Sequence, residues 1–331
     1  MKKVRIAQVG TGHDHAPATF NSIMAHPEVF DMVGAAEPNP ERVKNLYSKA
    51  PHYTVEELLA MDDLDAVAIE TEESLSTEYA QLFADKGVAV HMDKPGAQNL
   101  ESFTKLIETV KAKKLPFQMG YMYRYNPMIR EALDMAKSGK LGEIFSVETQ
   151  MSVCHAPSKR AWLGQFKGGM LYYLGCHLID LVYQIQGEPE EIIPMNMSTG
   201  IDCGGAEDYG FAILKYKNGV SFVKSCATEY GGYGRRQIVI CGSLGTIEIK
   251  PTEINMSLPG QCIRTTEHIT LAKDAPQPFA DCSTAHEIIV DRYDNMMLSF
   301  ARNVLGEEEM LCSPDYELAL FKLILKCCGA M

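Results

Sequence analysis

The stretch that most constrains the fold lies near the start of the chain, where an apolar segment runs directly into Gly10-Thr11-Gly12. Residues 4–9 are mostly apolar or β-branched, and a helix-like segment with Pro17 in its first turn follows the glycines. A strand, a tight turn and a helix in this order present backbone N–H groups and a helix N-terminus to a pyrophosphate. The sequence therefore predicts a dinucleotide-binding unit, although His15 stands where a third glycine is usual.

Composition narrows the class of protein. The chain has 331 residues, which gives room for two domains, and its formal net charge is -12. This charge argues against nucleic acid or an anionic membrane as the main partner. No apolar run is long enough to span a bilayer, and the opening segment does not fit a secretory signal. We therefore expect a cytoplasmic protein with no nucleic-acid or membrane partner.

The cysteines are confined to the later part of the chain. All ten lie between Cys154 and Cys328, and none belongs to a C-x-x-C pair. Neither a zinc ribbon nor a thioredoxin-type motif is therefore indicated. In a chain without an export signal we expect free thiols.

Strands and helices alternate through the first 120 residues. The pattern predicts strands at residues 4–9, 30–37, 66–69, 88–92 and 117–120, and helices at residues 17–25, 41–48, 54–61, 75–86 and 99–113. Repeated βα units of this kind predict an α/β fold with a doubly wound parallel sheet. We assign it to a Rossmann domain of residues 1–122.

The pattern changes from about Tyr121. Strands are predicted at residues 144–151, 192–197, 210–216, 220–226, 237–241 and 246–249. Helices are predicted at residues 126–138, 171–185 and 286–305 and from Ser313-Pro314 onward, with a loop at residues 152–169. Strand runs flanked by helices predict an α+β domain of residues 123–331 with a large, mostly antiparallel sheet.

Glu37 ends the second predicted strand, roughly 25 residues after the glycine turn. An acidic residue there can accept hydrogen bonds from both ribose hydroxyls of an adenosine and repels a 2′-phosphate. This position favours NAD over NADP, and a solvated glutamate is the structural alternative. Arg42 lies nearby and can favour a 2′-phosphate, so NADP stays open.

Asp93-Lys94-Pro95 follows a predicted parallel strand, at the sheet edge where ligands of open α/β sheets bind. Lys94 can lower the pKa of a substrate alcohol or polarise a carbonyl. Asp93 can hold the lysine ammonium group or contact the cofactor. A surface lysine is the alternative interpretation.

Residues 120–127 join the two halves of the chain and include Tyr123 and Arg124. An arginine flanked by tyrosines suits a polyhydroxylated ligand, and packing between the domains is the alternative.

Further along, a predicted apolar helix places Tyr173, His177 and Asp180 at i, i+4 and i+7, on one face. The imidazole can exchange a proton near neutral pH, and Asp180 can set its tautomer.

Together these motifs resemble the Gfo/Idh/MocA family of NAD(P)-dependent oxidoreductases, typified by glucose–fructose oxidoreductase and inositol dehydrogenase. The resemblance covers essentially the whole chain and rests on residues 93–95, 120–127, 168–180, 207–208 and 242–246. It implies a Rossmann domain followed by an α/β domain whose open sheet forms homodimers or homotetramers. It also implies that Lys94 and His177 are the catalytic pair.

The chain departs from the family pattern at three places. Asp93 replaces the usual glutamate, and residues 71–76 lack the usual proline and histidine. Tyr173 stands where an aspartate is usual, so it can donate to a substrate oxygen but cannot act as a carboxylate. These departures leave the substrate and the net reaction open.

The candidate residues fall into three groups. The cofactor group is Gly10, Thr11, Gly12, His13, His15, Glu37, Arg42, Thr71, Asp93 and Lys94. The substrate group is Tyr123, Arg124, Trp162, Tyr173, His177 and Asp180, and the catalytic group is Lys94, His177 and Tyr173. His13 and His15 have no third ligand nearby in the sequence, so no metal site is predicted.

Three functions remain at this stage. The first is hydride transfer between NAD and a secondary alcohol or ketone of a sugar, cyclitol or related polyol. The second is elimination or glycoside cleavage of a sugar through transient oxidation by a tightly held NAD. The third is a non-catalytic NAD-sensing regulator.

Overall fold

The computed structural model describes residues 2–256, 261–275, 277 and 282–331. They form two compact units. The first comprises Met1–Met122 and Tyr293–Phe321, and the second comprises Tyr123–Arg292 and Lys322–Met331.

The elements follow one another in a fixed order along the chain. They are β1 (Val4–Val9), α1 (Ala16–Ala25), β2 (Phe30–Ala36), α2 (Val55–Ala60), β3 (Ala66–Ile69), α3 (Glu73–Lys86), β4 (Ala89–Met92), α4 (Leu100–Lys113), β5 (Phe117–Met119), α5 (Pro127–Lys137), β6 (Ile144–Gln150), α6 (Pro157–Trp162), α7 (Cys176–Gln186), β7 (Glu191–Pro194), β8 (Tyr209–Tyr216), β9 (Gly219–Cys226), β10 (Gln237–Gly242), β11 (Gly245–Ile249), β12 (Ile254–Asn255), β13 (Cys262–Leu271), β14 (Thr284–Asp291), α8 (Asp294–Leu305) and α9 (Pro314–Cys327).

The first unit is built on a five-stranded sheet in the order β2-β1-β3-β4-β5, and every pair is parallel. β3 and β4 are buried along their whole length, as expected for strands covered on both faces. The order reverses between β1 and β3, so the crevice at their carboxyl ends is the usual ligand position in such a sheet. The predicted doubly wound parallel sheet is confirmed.

Local signals placed most helix ends correctly in this unit. Thr54 and Glu57 form both hydrogen bonds of the predicted capping box at the start of α2. Asn99 caps α4 by accepting from Ser102 N. The helix predicted at residues 41–48 is wrong, because only a single 3₁₀ turn, Val43–Asn45, forms there.

The second unit contains a nine-stranded sheet in the order β12-β13-β11-β10-β6-β9-β8-β7, with β14 paired to β13. Its neighbouring strands are antiparallel except β6 and β9, which are parallel. The mostly antiparallel sheet is therefore confirmed. The Lys217-Asn218-Gly219 turn connects β8 to β9 as a hairpin.

Three predictions in this region were wrong. The loop at residues 152–169 contains α6, which begins with Pro157 in its first turn. β13 was not predicted, although its side chains alternate in burial. The helix predicted at residues 286–305 begins only at Asp294, because Ile288, Ile289 and Val290 pair with β13. β-branched residues of this kind favour an extended backbone.

The predicted second domain, residues 123–331, also needs correction, because Tyr293–Phe321 returns to the first unit. Ser22 Oγ donates to Asp294 Oδ1 at 2.6 Å, which links α1 to α8. Gln118 Nε2 donates to the backbone oxygen of Met296 at 3.1 Å. The first unit therefore includes α8, which follows the second unit's strands in sequence.

All ten cysteines lie in the described residues and are free thiols. Among the helices of the described ranges, none combines the length and the apolar character needed to cross a membrane.

Candidate functional site

The glycine turn after β1 is held tightly against the segment that follows β3. Gly10 has φ +94°, and a Cβ atom on it would lie 2.5 Å from the backbone nitrogen of Thr71. A Cβ atom on Gly12 would lie 2.7 Å from the backbone nitrogen of Glu72. Both positions therefore require glycine, at the sheet edge where the strand order reverses.

Glu37 extends from the end of β2 toward this turn. Its Oε2 accepts hydrogen bonds from Thr11 N at 2.7 Å and Thr11 Oγ1 at 2.5 Å, and its Oε1 accepts from Asn39 N at 2.9 Å. The carboxylate is thus fixed beside the glycine turn, where the sequence analysis placed a ribose acceptor. A cavity of about 740 Å³ opens beside it, lined also by Pro38, Val43 and Leu82.

Arg42 pairs with a carboxylate that the sequence analysis did not single out. Its Nε donates to Glu72 Oε1 at 2.7 Å, and Asn39 Nδ2 donates to the same oxygen at 3.1 Å. The charge that was considered as a partner for a 2′-phosphate is therefore balanced by Glu72.

Lys94 is buried, and side chains hold both polar groups of its backbone. Its N–H donates to Asp93 Oδ1 at 2.7 Å, and its carbonyl oxygen lies 3.1 Å from His13 Nε2. His15 Nδ1 lies 3.0 Å from Asp93 Oδ2. The structure thus brings together four predicted cofactor residues at the carboxyl ends of β1 and β4.

Burial and charge shift the ionisation of this group. Burial opposes ionisation of Asp93, but the His13 and His15 imidazoles hold the pKa of the carboxyl well below its usual value. Burial lowers the pKa of His15 to about 4, despite the nearby Asp93 carboxylate. The aspartate is therefore the charged member, and His15 is neutral at physiological pH.

The structure adds buried residues that the sequence analysis missed. Glu70 follows β3 directly and is fully buried, with its Oε2 3.7 Å from His13 Nδ1. Burial and the neighbouring Asp93 carboxylate raise the pKa of Glu70 well above its usual value. Glu73 Oε1 lies 3.7 Å from His13 Nε2. A glutamate directly after a wholly apolar parallel strand was the available signal for Glu70.

The expectation that His13 and His15 lack a third ligand is corrected by Asp93. One ligand atom from each of these residues lies within 4.8 Å of the other two. Asp93 is distant in sequence and meets the histidines only because β4 and β1 end at the same sheet edge.

In the second unit, the predicted catalytic helix has an irregular start. Leu171–Gly175 forms a π-helical turn, and the α-helix α7 begins only at Cys176. This wider turn changes the angular position of Tyr173 relative to His177 from the predicted α-helical spacing. Such turns often occur at functional sites.

Aromatic side chains surround these two residues. The Tyr123 ring lies edge-on to His177 with centroids 5.1 Å apart, and the Trp162 ring lies edge-on to Tyr173 at 5.4 Å. Lys159 Nζ lies 4.4 Å from the Tyr173 ring centroid. Four predicted residues are therefore in contact as two pairs, and Lys159 is an addition that the predicted loop concealed.

Arg124 and Asp180, both predicted substrate residues, are bonded to each other. Arg124 Nε and Nη2 donate to Asp180 Oδ2 and Oδ1, each at 2.9 Å. Both side chains are 1% exposed. The pair anchors α7 to the segment before α5.

A second buried charge group lies on the same unit. Glu253 accepts hydrogen bonds from Arg236, Arg292 and Tyr233, and Arg236 Nη1 lies 3.5 Å from the Tyr123 hydroxyl. Arg236 belongs to the loop that the sequence offered as a substrate or subunit contact. Glu253 was not predicted.

Other family-motif residues have structural roles here. Glu207 Oε2 accepts from Gly168 N at 2.6 Å, and Asp208 accepts from Thr199 N and Oγ1, each at 2.7 Å. Gly242 and Gly245 flank the turn between β10 and β11.

The sequence was then compared with known proteins. The family described as "Oxidoreductase family, NAD-binding Rossmann fold" matches residues 4–121. The family described as "GFO/IDH/MocA C-terminal domain" matches residues 129–248.

Several characterised and uncharacterised proteins are related. The uncharacterized oxidoreductase YhhX of Escherichia coli is 28% identical over 155 residues, covering 46% of this chain and 44% of that protein. The D-xylose 1-dehydrogenase (NADP(+)) 2 of Haloferax volcanii is 25% identical over 169 residues, covering 50% and 51%. The chain thus spans about half the length of these two relatives. The 2,7-anhydro-N-acetylneuraminate hydratase of Mediterraneibacter gnavus is 22% identical over 282 residues, covering 76% and 72%.

Solved structures show the same fold. The WlbA dehydrogenase of Bordetella pertussis, solved with NADH and UDP-GlcNAcA, superposes with a TM-score of 0.79 at 19% identity, covering 99% of this chain and 96% of that one. An oxidoreductase of Thermotoga maritima has a TM-score of 0.76 at 20% identity, covering 99% and 97%. With both of its halves matched by the family's two domains, the chain belongs to the Gfo/Idh/MocA family of oxidoreductases.

Proposed function

We propose that this chain is an NAD-dependent oxidoreductase acting on a secondary alcohol or ketone of a sugar, cyclitol or related polyol. The observation that carries the proposal is the buried Lys94, whose backbone is held by Asp93 and His13 at the carboxyl edge of the parallel sheet. This is the edge at which open α/β sheets bind their ligands. Relatives named as a xylose dehydrogenase and a 1,5-anhydro-D-fructose reductase support sugar chemistry.

The residues of the first unit fit a dinucleotide. Gly10 and Gly12 leave room that a Cβ atom would fill, and the turn leads into α1. Glu37 offers a fixed carboxylate for ribose hydroxyls and repels a 2′-phosphate, which supports NAD over NADP. When bound, the nicotinamide supplies the hydride acceptor or donor.

The residues of each unit have separate roles in the proposed reaction. Lys94 stabilises the oxyanion that develops on the substrate oxygen. His177 takes or gives the hydroxyl proton, and Tyr173 donates a hydrogen bond to the substrate. The Arg124–Asp180 pair holds the helix that carries His177.

The first test is Lys94→Ala. Turnover on a panel of sugars and cyclitols should fall by about 100-fold or more, because the oxyanion loses its cationic donor. NAD affinity, measured by calorimetry, should change little. Lys105→Ala, which removes an exposed lysine of α4, is the control and should match the unmodified protein. Unchanged turnover in Lys94→Ala would remove this residue from the mechanism.

A second candidate function is transient oxidation followed by elimination or cleavage, without net redox change. Tyr173 at the position of the family's aspartate favours it, and one relative is named as a hydratase. Product formation that needs no added cofactor, together with NAD that copurifies, would support this reaction. NADH release in proportion to product would exclude it.

We also propose that the chain forms a homodimer or homotetramer through the nine-stranded sheet. Phe145, Val220 and Ile289 are exposed apolar side chains on β6, β9 and β14. Exposed apolar side chains of a sheet are often covered by self-association. Light scattering coupled to size-exclusion chromatography tests this, and a monomer at micromolar concentration would contradict it.

A further inference from the structure

A buried group of imidazole and carboxylate side chains lies at the carboxyl ends of β1, β3 and β4. We call it the imidazole–carboxylate cluster and define it as His13, His15, Glu70 and Asp93. His13, Glu70 and Asp93 are each at most 3% exposed, and His15 is only slightly more accessible. Four ligand-type side chains buried together are unusual, because burial of a carboxylate requires a compensating partner.

The tautomer of His13 follows from its neighbours. Its Nε2 lies 3.1 Å from the carbonyl oxygen of Lys94, which can only accept, so Nε2 carries the proton. Its Nδ1 accepts from the backbone N–H of His15 at 3.1 Å. Nδ1 is therefore the nitrogen with a free lone pair.

That lone pair faces negatively polarised oxygens. Asp93 Oδ2 lies 3.2 Å from His13 Nδ1, and Glu70 Oε2 lies 3.7 Å from it. Neither oxygen of Glu70 has a hydrogen-bond partner within the described part of the chain. Electron pairs that converge at these distances repel one another unless a positive charge lies between them.

The spacing matches that of metal ligands. Asp93 Oδ2 lies 3.0 Å from His15 Nδ1 and 3.2 Å from His13 Nδ1. Ligand atoms bound at 2.0–2.1 Å in a tetrahedral zinc site are about 3.3 Å apart. Small side-chain rotations are therefore enough to place both nitrogens and the Asp93 oxygen around one ion.

Charge and surrounding contacts also suit a dication. The Asp93 and Glu70 carboxylates together balance two positive charges. The outer nitrogen of His13 donates to the Lys94 carbonyl, which is the usual arrangement around a ligating histidine. On the other side of Glu70, His91 Nε2 lies 3.9 Å from Oε1.

From this geometry we propose that the imidazole–carboxylate cluster binds a divalent transition-metal ion of the Zn²⁺ class. His13 Nδ1, His15 Nδ1 and an Asp93 oxygen are the ligands, and Glu70 supplies the fourth. Imidazole and carboxylate donors suit zinc among the common cellular metals. Because Asp93 and His13 also hold the backbone of Lys94, the ion fixes the position of that residue. The site is independent of the proposed substrate and cofactor.

The test uses the full-length protein, stripped with chelator and then dialysed against Zn²⁺. Elemental analysis should find about one zinc ion per chain, and Co²⁺ should give the visible absorption of a four-coordinate nitrogen–oxygen site. His15→Ala and Asp93→Asn should each lower Zn²⁺ affinity by about tenfold or more. His52→Ala is the matched control, because His52 contacts only the Tyr47 carbonyl among its printed hydrogen bonds and lies outside the cluster.

Circular dichroism establishes that each variant is folded, and Asp93→Asn decides the question if His15→Ala is not. Failure of the unmodified protein to take up Zn²⁺ and Co²⁺ would overturn the proposal. Zinc binding by a folded cluster variant with the affinity of the unmodified protein would also overturn it. None of these measurements depends on enzyme activity.

Discussion

Glu37 ends β2 with its carboxylate turned toward the glycine turn, where Oε2 accepts hydrogen bonds from Thr11 N and Oγ1. Its role as a nucleotide residue was predicted from its distance along the chain. The contacts with Thr11 and with Asn39 N came only with the structure. They hold the carboxylate in one orientation, so little side-chain freedom remains to be lost when a ribose binds.

Glu37→Gln should weaken NAD binding by about tenfold, which corresponds to about 1.4 kcal/mol. The amide cannot accept from two donors as strongly as the carboxylate, because it has lost the charge. Discrimination against NADP should fall at the same time, since the repulsion of a 2′-phosphate is removed. Calorimetric titration with both nucleotides measures these effects. Glu41→Gln, at an exposed position, is the control, and an unchanged NAD affinity in Glu37→Gln would refute the assigned role.

Glu253 illustrates a second residue-scale effect, the dependence of stability on pH. Burial alone would raise the pKa of its carboxyl, but the charges of Arg292 and Arg236 and their hydrogen bonds lower it to about 2. The unfolded carboxyl titrates near its usual value of 4.5. The unfolded chain therefore binds more protons between these two values, and Glu253 stabilises the fold above them.

The unmodified protein should lose this contribution progressively as the pH falls from about 4.5 toward about 2. Near neutral pH the contribution is about 3 kcal/mol, since each pKa unit corresponds to roughly 1.4 kcal/mol. Denaturant unfolding of the unmodified protein and of Glu253→Gln, repeated across pH, measures the difference. The difference should shrink in acid, and a constant difference across pH would contradict the ion-pair explanation.

The start of the catalytic-helix region shows why an element can depart from its sequence pattern. Gly169 has φ +37°, and a Cβ atom on it would lie 2.1 Å from the carbonyl oxygen of Glu207. A Cβ atom on Gly168 would lie 2.4 Å from Cys328 Cβ. The glycine pair is thus required by tertiary neighbours, and the π-helical turn of Leu171–Gly175 begins two residues later.

Gly169→Ala should destabilise the protein by about 1–3 kcal/mol or more, because the backbone conformation is unfavourable for alanine and the Cβ atom collides with Glu207. Gly234→Ala is the matched control, since no atom lies within 4 Å of its Cβ position. Thermal unfolding of both variants gives the comparison. Equal melting temperatures for the two would show that the Gly168–Gly169 segment adjusts without strain.

At the scale of the whole molecule, the chain returns to its first unit after building the second sheet. Phe321 stacks on Phe103 with ring centroids 4.3 Å apart, and Met296, Met297 and Phe300 are buried. Fully burying an apolar side chain of this size contributes about 1.5–3 kcal/mol. The first unit therefore needs residues 293–321 to complete its core.

A fragment of residues 1–122 should fail to unfold cooperatively and should bind a hydrophobic dye, because the faces covered by α8 are exposed. Residues 1–122 joined by a flexible glycine–serine linker to residues 293–321 should recover a cooperative transition. Circular dichroism during heating and dye fluorescence measure both properties. A stable, cooperative fragment of residues 1–122 would show that the continuous domain predicted from the sequence is sufficient.

The sequence by itself determined the parallel order of the first unit, the caps of its helices and the glycine turn. These features depend on neighbours a few positions away, such as Thr54 with Glu57 and Asn99 with Ser102. Only the tertiary structure decided that Asp93 meets His13 and His15 and that Arg124 bonds Asp180. It also decided that residues 293–321 complete the first unit. Such contacts join residues far apart in the chain, and their geometry depends on how strands and helices pack, which no local pattern encodes.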